Sequence, residues 1–439
     1  MEKIDVVIVG GGLAGLSCAY ALADSGLSII VLERGDFAGS KNVTGGRIYL
    51  NPIRDLFPDL WKEAPLERRV TKEIITLMSD DASTSFELSS RKFNRPPYHS
   101  YTILRSKFDK WLSEKVIEKG VFVIPQKRVD EIIKEAGKVV GVKVGNEEIR
   151  GEVVVAADGA LSLIAQKAGL KTEPDPKDFA LGIKEIIKLP AKTIEERFNI
   201  DENEGVAQIF AGSLTHGMTG GGFLYTNQDT ISLGIVLGIK SLMEKIPLNP
   251  PFTKGEIGGL ELYHLMDEFK ERPEIRHLIK GGELVEYSSH LIPEGGLNMM
   301  PQVYSDGILV IGDAAGLCLN MLFTVRGMDF AIASGHIAAQ AIKRANQRKV
   351  LARAGQYYQE LLDKSFIMSN LKTFKGVSSL LENPRLFNLY PQMICNLFEK
   401  IMWIGSSAKP KISKTILKEI TKNFLSLKGI KDIFDIRKI

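Results

Sequence analysis

The chain opens on a β-branched run, Ile4 to Val9, that stops at three consecutive glycines, and a small, apolar stretch follows from Leu13 to Ala23. The run predicts a buried strand, the stretch behind the glycines predicts a helix, and Ser28 to Leu32 predicts a second strand, so the chain begins with a βαβ unit. A segment richer in turns and charges runs from Gly35 to Pro97. Beyond it the pattern predicts a helix from Ser106 to Lys119 and a strand at Val121 to Ile124. A small antiparallel patch over Val129 to Lys134, Val139 to Val144 and Glu147 to Arg150 then leads to an apolar strand at Val153 to Ala156.

From about Pro174 to Pro301 alternating strands broken by glycine take over, with Gly217 to Gly222 and Gly255 to Gly259 as loops, which predicts a second unit on an antiparallel sheet. A buried-type strand returns at Gly307 to Ile311, runs into Gly312-Asp313 and precedes a helix from about Arg326 to Arg344, so the first unit is completed late in the chain. From Arg353 onward the pattern is helical, punctuated by Pro384, Pro391 and Pro410. The last segment, Lys411 to Ile439, is amphipathic and basic, with Ile412, Ile416, Ile420, Phe424 and Ile430 alternating with Lys411, Lys414, Lys418, Lys422 and Lys428. The expected class is α/β. A discontinuous Rossmann-like unit takes residues 1–75, 98–173 and 302–350, an inserted antiparallel-sheet α+β unit takes 76–97 and 174–301, and a helical C-terminal region takes 351–439.

Composition narrows the class without naming a chemistry. Of 439 residues 44% are hydrophobic and 25% charged, which suits a packed enzyme and excludes wholesale disorder. A net charge of +4 gives no case for a nucleic-acid partner. Cys18, Cys318 and Cys395 are far apart and odd in number, so this chain holds neither a disulfide framework nor a four-thiolate iron–sulfur cluster. With no signal-peptide pattern and no apolar stretch of ~20 residues, the expected compartment is the cytoplasm, with peripheral attachment to the cytoplasmic face of the membrane left open.

Chemistry enters at Gly10-Gly11-Gly12-Leu13-Ala14-Gly15, which has the G-x-G-x-x-G spacing. Gly10 permits the tight turn, Gly12 lets a pyrophosphate approach the backbone, and Gly15 lets the helix lie close to the strand, while the amides at Leu13 and Ala14 open a helix whose positive end faces phosphates. Glu33 ends the second strand where a carboxylate can bind an adenosine ribose hydroxyl, and its charge argues against a 2′-phosphate there. Strand, helix, second strand and terminal acid agree, so the turn is a dinucleotide site rather than an ordinary glycine-rich turn.

Two later segments decide between dinucleotides. Val153 to Ser162 places Asp158-Gly159 at the end of a buried strand, and Ile308 to Gly316 repeats the arrangement with Gly312-Asp313. Alone, each reads equally well as a strand-end turn. Together and in this order they resemble the second and third fingerprints of glutathione-reductase-type flavoproteins of the hydroxylase branch. The resemblance implies FAD, with Asp313 at its ribitol and phosphate region. Arg105 matches the arginine such enzymes place near the flavin, although a surface arginine at a helix start would look the same. Gly327 and Met328 would point their amides at the flavin N1 and C2 carbonyl, where a helix N-terminus favours negative charge on the reduced ring. Arg34, Gly45, Gly46 and Val129 complete the expected cofactor set. Cys318 has no nearby second cysteine and reads as packing, and the six histidines show no metal-ligand spacing, so no side-chain catalyst and no metal are expected.

Longer segments resemble one family, the FixC-type flavoproteins related to electron-transfer-flavoprotein:ubiquinone oxidoreductase. They are Gly39 to Arg47, Leu104 to Leu112, Ile292 to Gly296, Arg326 to Asp329 leading into Ala333 to Gly335, Ser365 to Leu371, and Tyr390-Pro391. The resemblance implies an FAD that takes electrons from the subunits of an electron-transfer flavoprotein and delivers them to a membrane quinone. Larger relatives carry a four-cysteine cluster that this chain lacks, so a separate FixX-like ferredoxin is implied. Gly217 to Phe223 and Met321 to Phe323 are candidates for a quinone slot, with domain packing an equal explanation, and the basic tail could meet a membrane, a partner or only solvent. A geranylgeranyl-reductase-like isoprenoid reductase, a flavin hydroxylase of the same fold, and a non-catalytic flavin-dependent scaffold remain open at this point.

Overall fold

A computed structural model describes residues 4–41, 46–245, 262–424, 427–435 and 437. Gly45 and the Gly255 to Gly259 loop, both named above, lie outside the described residues, as do the side chains of Lys422, Phe424, Lys428 and Ile430.

The first sheet grows from the opening strand. Ile4–Val9 pairs in parallel with Ile29–Leu32 on one side and with the upper half of Glu147–Ala156 on the other, and the sheet continues to Phe122–Ile124 and Ile308–Val310. Val6, Val7, Ile8, Val154, Val155 and Leu309 are fully buried, as expected of parallel strands covered on both faces. The predicted antiparallel patch is present as Glu131–Glu135, Lys138–Val144 and the lower half of Glu147–Ala156. That last strand is continuous, so one element carries both the patch and the buried strand leading to Asp158.

Two helices cover this sheet near the glycine turn, Leu13–Leu22 and the long helix Met328–Gln347. The latter starts two residues later than its predicted start because a short hairpin, Leu319–Asn320 with Val325–Arg326, occupies the approach. The helices touch backbone to backbone at Gly335, where a Cβ would overlap the Ala14 carbonyl oxygen and stand 2.9 Å from the Cys18 nitrogen.

The second sheet has nine strands in the order Glu283–Pro293, Phe179–Lys188, Thr230–Gly238, Gly220–Thr226, Glu204–Gly212, Arg69–Met78, Ser100–Thr102 and Arg47–Tyr49, with Ser83–Ser89 paired off Arg69–Met78. Its own core is apolar, with Leu233, Ile235, Leu237, Phe269 and Ile275 buried. Three features depart from the sequence reading. Residues 47–49, 69–75 and 100–102, placed above with the Rossmann-like unit, hydrogen-bond into this sheet. Glu204–Gly212 runs parallel to Arg69–Met78 in an otherwise antiparallel sheet, because the partner strand comes from far earlier in the chain. Gly220, Gly221 and Gly222 are strand rather than loop, since a Cβ at Gly222 would meet Leu214 and Phe269 at 2.7 and 2.9 Å and only glycine fits beneath them.

Arg68 ties the region together from a fully buried position. Its guanidinium donates to the carbonyls of Asn227, Glu204 and Gln228 and to Glu195 Oε1 at 3.0 Å. The C-terminal region is helical from Ala354–Asp363 to Leu427–Asp435. Among the described residues no helix is long and apolar enough to cross a membrane.

The Gly335 contact has a direct consequence. Gly335→Ala forces apart helices that meet on backbone, and a stability loss of about 1–3 kcal/mol is expected, read as a lower urea midpoint with an unchanged slope; an unchanged midpoint would show that the helices separate freely.

Candidate functional site

The strand ends, the glycine turn and the second sheet enclose one cavity of about 1980 Å³. At one end is the turn. Gly10 has φ +110°, a conformation that favours glycine, and a Cβ there would overlap the Ala157 carbonyl. Gly15 sits so near the Gly10 carbonyl oxygen that a side chain would again overlap it. Glu33 fixes the turn's geometry: its carboxylate accepts the Gly11 N–H at 2.7 Å and the Gly35 N–H at 2.6 Å. Each oxygen still has a second lone-pair direction for a hydroxyl.

Gly10, Gly12, Leu13, Ala14, Glu33, Arg34, Gly46, Arg105, Val129, Asp158, Gly159, Asp313, Gly327 and Met328 all line this cavity, although they come from segments spread over most of the chain. Gly15 and Gly312 stand behind the lining, and Gly312 (φ +62°) closes on the Ala14 side chain, which a Cβ would meet at 2.7 Å.

The two Gly-Asp-type acids differ in what they touch. Asp158 accepts the Ser162 hydroxyl and the Ile164 N–H, each at 3.0 Å, so its carboxylate holds the turn into the helix Leu163–Ala168. Among the described residues the Asp313 carboxylate takes no hydrogen bond, while burial pushes its pKa up against the pull of Arg105, His290 and Lys171. A desolvated carboxylate facing a cavity is an acceptor in want of hydroxyl donors. Arg105 pairs bidentately with Asp109, both bonds 2.8 Å; burial opposes its charge, but Asp109 and then Asp313 outweigh it and hold the pKa up.

Gly327 precedes the first turn of Met328–Gln347, and the leading amides of a helix have no partners inside it. Arg326 holds that helix start by donating to Asp329 at 2.9 Å and to Asn370 Oδ1 at 3.0 Å, with its guanidinium 4.5 Å from the Phe330 ring centre. Gly220 to Phe223 line the cavity, as do Leu322 and Phe323, whereas Gly217 opens on a separate small pocket and Met321 packs on the core.

Several lining groups were not anticipated. Arg47 forms a bidentate pair with Glu73 and stands 4.6 Å from the Tyr49 ring centre. His290 comes from the second sheet, and its pKa is lowered by burial, against Asp313 and with Arg105 and Arg34. Glu294 is pushed up by burial, and its Oε1 accepts the Asn320 side-chain N–H at 3.1 Å. Glu294 lay in a segment singled out above; Glu73 and His290 gave no local signal. Cys318 is buried and burial raises its thiol pKa, which fits packing.

The donor set fits FAD. A pinched glycine turn suits a pyrophosphate, Glu33 offers an acceptor to a ribose, Asp313 offers one to a polyhydroxyl chain, and the open helix start suits the carbonyl edge of a flavin ring.

Comparison with known proteins agrees. Residues 5–179 match the family model of FAD dependent oxidoreductases, and residues 377–439 match the ETF-QO/FixC family C-terminal domain. The chain is 40% identical to the probable electron transfer flavoprotein-quinone oxidoreductase YdiS of Escherichia coli K12, over 95% of this chain and 94% of that protein. It is 39% identical to the FixC protein of Salmonella typhimurium LT2, over 97% of each. A crystal structure of a geranylgeranyl bacteriochlorophyll reductase-like protein from Thermoplasma acidophilum superposes with a TM-score of 0.71, covering 99% of this chain and all of that one; at 23% identity this speaks for the fold alone.

One pH effect follows from His99, which stands behind the lining residues Arg47 and Phe93. Burial, then Arg47 and Lys92, push His99 from 6.5 down to about 4. Between those values the unfolded chain holds a proton that the folded one refuses, so stability falls as pH drops through the window. From pH 6.5 to 4 the wild type is expected to lose more stability in urea titrations than His99→Asn; parallel losses would contradict this.

Fold, cavity and about 40% identity over nearly the whole of this chain lead to one conclusion: the chain belongs to the ETF-QO/FixC family of FAD-dependent oxidoreductases.

Proposed function

We propose that this protein passes electrons from an electron-transfer flavoprotein, through FAD, to a membrane quinone, with a separate FixX-like ferredoxin as a further partner. FAD supplies the two-electron redox chemistry. In this reading the Gly10 to Gly15 turn holds the pyrophosphate, Glu33 the adenosine ribose and Asp313 the ribitol, while the amides of Gly327 and Met328 meet the flavin's carbonyl edge and stabilise negative charge as the ring is reduced. Asp158 acts by holding its turn, and Arg105 offsets the charge of Asp313. The Rossmann-like unit, the inserted sheet and the helical tail keep the roles expected of them, with the sheet strands at 47–49, 69–78 and 100–102 assigned to the inserted unit.

The observation that carries the reading is the continuity of the cavity. Its volume exceeds the ~300–1,000 Å³ of an ordinary ligand site, so it has room for a second molecule beside the cofactor. Its lining includes Gly220 to Phe223 from the second sheet and Leu322 and Phe323 from the hairpin turn before the helix start. The same cavity reaches Phe86, Leu88 and Tyr390, and Phe86 meets Phe398 edge-on with ring centres 6.1 Å apart. Beyond Phe398 the helix Leu389–Met402 ends, and Met402, Trp403 and Ile404 are at least 71% exposed, followed by Lys409, Lys411 and Lys414. An exposed apolar tip backed by cations suits the surface of an anionic bilayer, where a lipid-soluble quinone would be at hand.

Two measurements test the reading separately. Glu33→Ala should raise the FAD dissociation constant about ten- to a hundredfold, the loss expected when hydrogen bonds to a charged group are removed; equal quenching of FAD fluorescence by both proteins would remove Glu33 from the site. Anaerobic mixing of the FAD-loaded protein with its ferredoxin, reduced electron-transfer flavoprotein and anionic vesicles carrying ubiquinone should yield quinol. Flavin reduction without quinol would leave transfer between proteins only.

A further inference from the structure

One corner of the cavity is lined by aromatic rings seated on backbone. Phe223 and Tyr225 alternate with Leu224 along the strand Gly220–Thr226, so both leave the same face of the sheet, and their rings stack at 27° with centres 5.3 Å apart. Each ring lies where a side chain is missing. A Cβ on Gly46 would stand 2.5 Å from the Tyr225 ring, and one on Gly234 would overlap Phe223. Packing against glycine fixes both rings.

The polar atoms around this shelf are unevenly committed. Arg47 donates to both Glu73 oxygens and to Ser100, which leaves its charge compensated. The Tyr49 hydroxyl is engaged with Thr324 at the tip of the hairpin beside the helix start. Tyr225 lines the cavity, yet among the described residues its hydroxyl makes no hydrogen bond. A phenol in such a place normally has a partner. Burial, helped by Tyr49 and Glu73 and opposed by Arg47, pushes its pKa up, so it keeps its proton and can donate.

We propose that the ring of an uncharged quinone lies against Phe223 and that the Tyr225 hydroxyl donates a hydrogen bond to one of the quinone's carbonyl oxygens. This rests on the quinone reading above and specifies the chemistry recognised: a flat neutral ring with a carbonyl acceptor. From a reduced flavin carrying negative charge, two electrons and one proton would reach the quinone and the second proton would come from solvent water, so that its two C=O groups become two C–OH groups. Tyr225 keeps its own proton throughout. Its hydrogen bond strengthens as negative charge builds on the carbonyl oxygen, so it acts on kcat as well as on KM.

The test uses the FAD-loaded protein, reduced by dithionite titration and mixed with ubiquinone-1 or with ferricyanide, which takes single electrons and offers no carbonyl. For Tyr225→Phe the ratio of quinone rate to ferricyanide rate should fall about tenfold, the scale of one hydrogen bond, with kcat for quinone lowered. An unchanged ratio overturns the assignment. A second measurement needs no variant: the infrared carbonyl stretch of bound ¹³C-labelled menadione should move to lower frequency than in hexane, and a stretch at the hexane position overturns it equally. Wild-type protein that reduces no quinone ends both readings, whereas a quinone-reducing wild type matched by Tyr225→Phe ends this one alone.

Discussion

The structure depends on a crowding of backbone around the first glycine turn. Gly10 lies against the Ala157 carbonyl, Gly15 against Gly10, and Gly335 against Ala14, each nearer than a methyl group permits. These contacts bring three chain segments, distant in sequence, to one point: the end of the opening strand, the end of the strand that leads to Asp158, and the helix that follows Gly327. Atoms packed this closely have little freedom to relax. The position of the helix start relative to the turn is therefore set by contact, and with it the distance a dinucleotide spans.

Around that point the charges are arranged to be used once. Glu33 and Asp158 spend their carboxylates largely on the chain's own amides and hydroxyl, which stiffens the two turns. Among the described residues Asp313 has no such partners; it is kept desolvated, with Arg105, His290 and Lys171 around it to make its charge tolerable. Arg326, Asp329 and Asn370 link the helix start to the helix Phe366–Thr373, so the C-terminal region braces the site as well as covering it.

The Rossmann-like unit was legible in the sequence because its signals are local. A glycine turn, a strand-end acid and a buried β-branched run each state their structure within a few residues, and Gly10, Glu33 and Asp313, which line the cavity, carry such signals. The second sheet was less legible. Its parallel pair joins residues 69–78 to 204–212, a contact that leaves no periodic trace, and Gly220 to Gly222 look like a loop until Leu214 and Phe269 are placed above them. Glu73, Tyr225 and His290 reach the cavity only because this sheet faces the first one. The use of Asp158 to hold its own turn was hidden for a simpler reason: a strand-end Asp-Gly has the same spelling whether its carboxylate faces a ligand or the next helix.

In the proposed function one cavity holds FAD at the glycine turn and a quinone at the wall of the second sheet. Photolysis of an azido-quinone on the FAD-loaded protein, followed by mass-spectrometric mapping of the label, tests it most directly. Label is expected on peptides spanning residues 220–226 and 319–326; label confined to residues 402–437, with the cavity peptides unmodified, would overturn this arrangement.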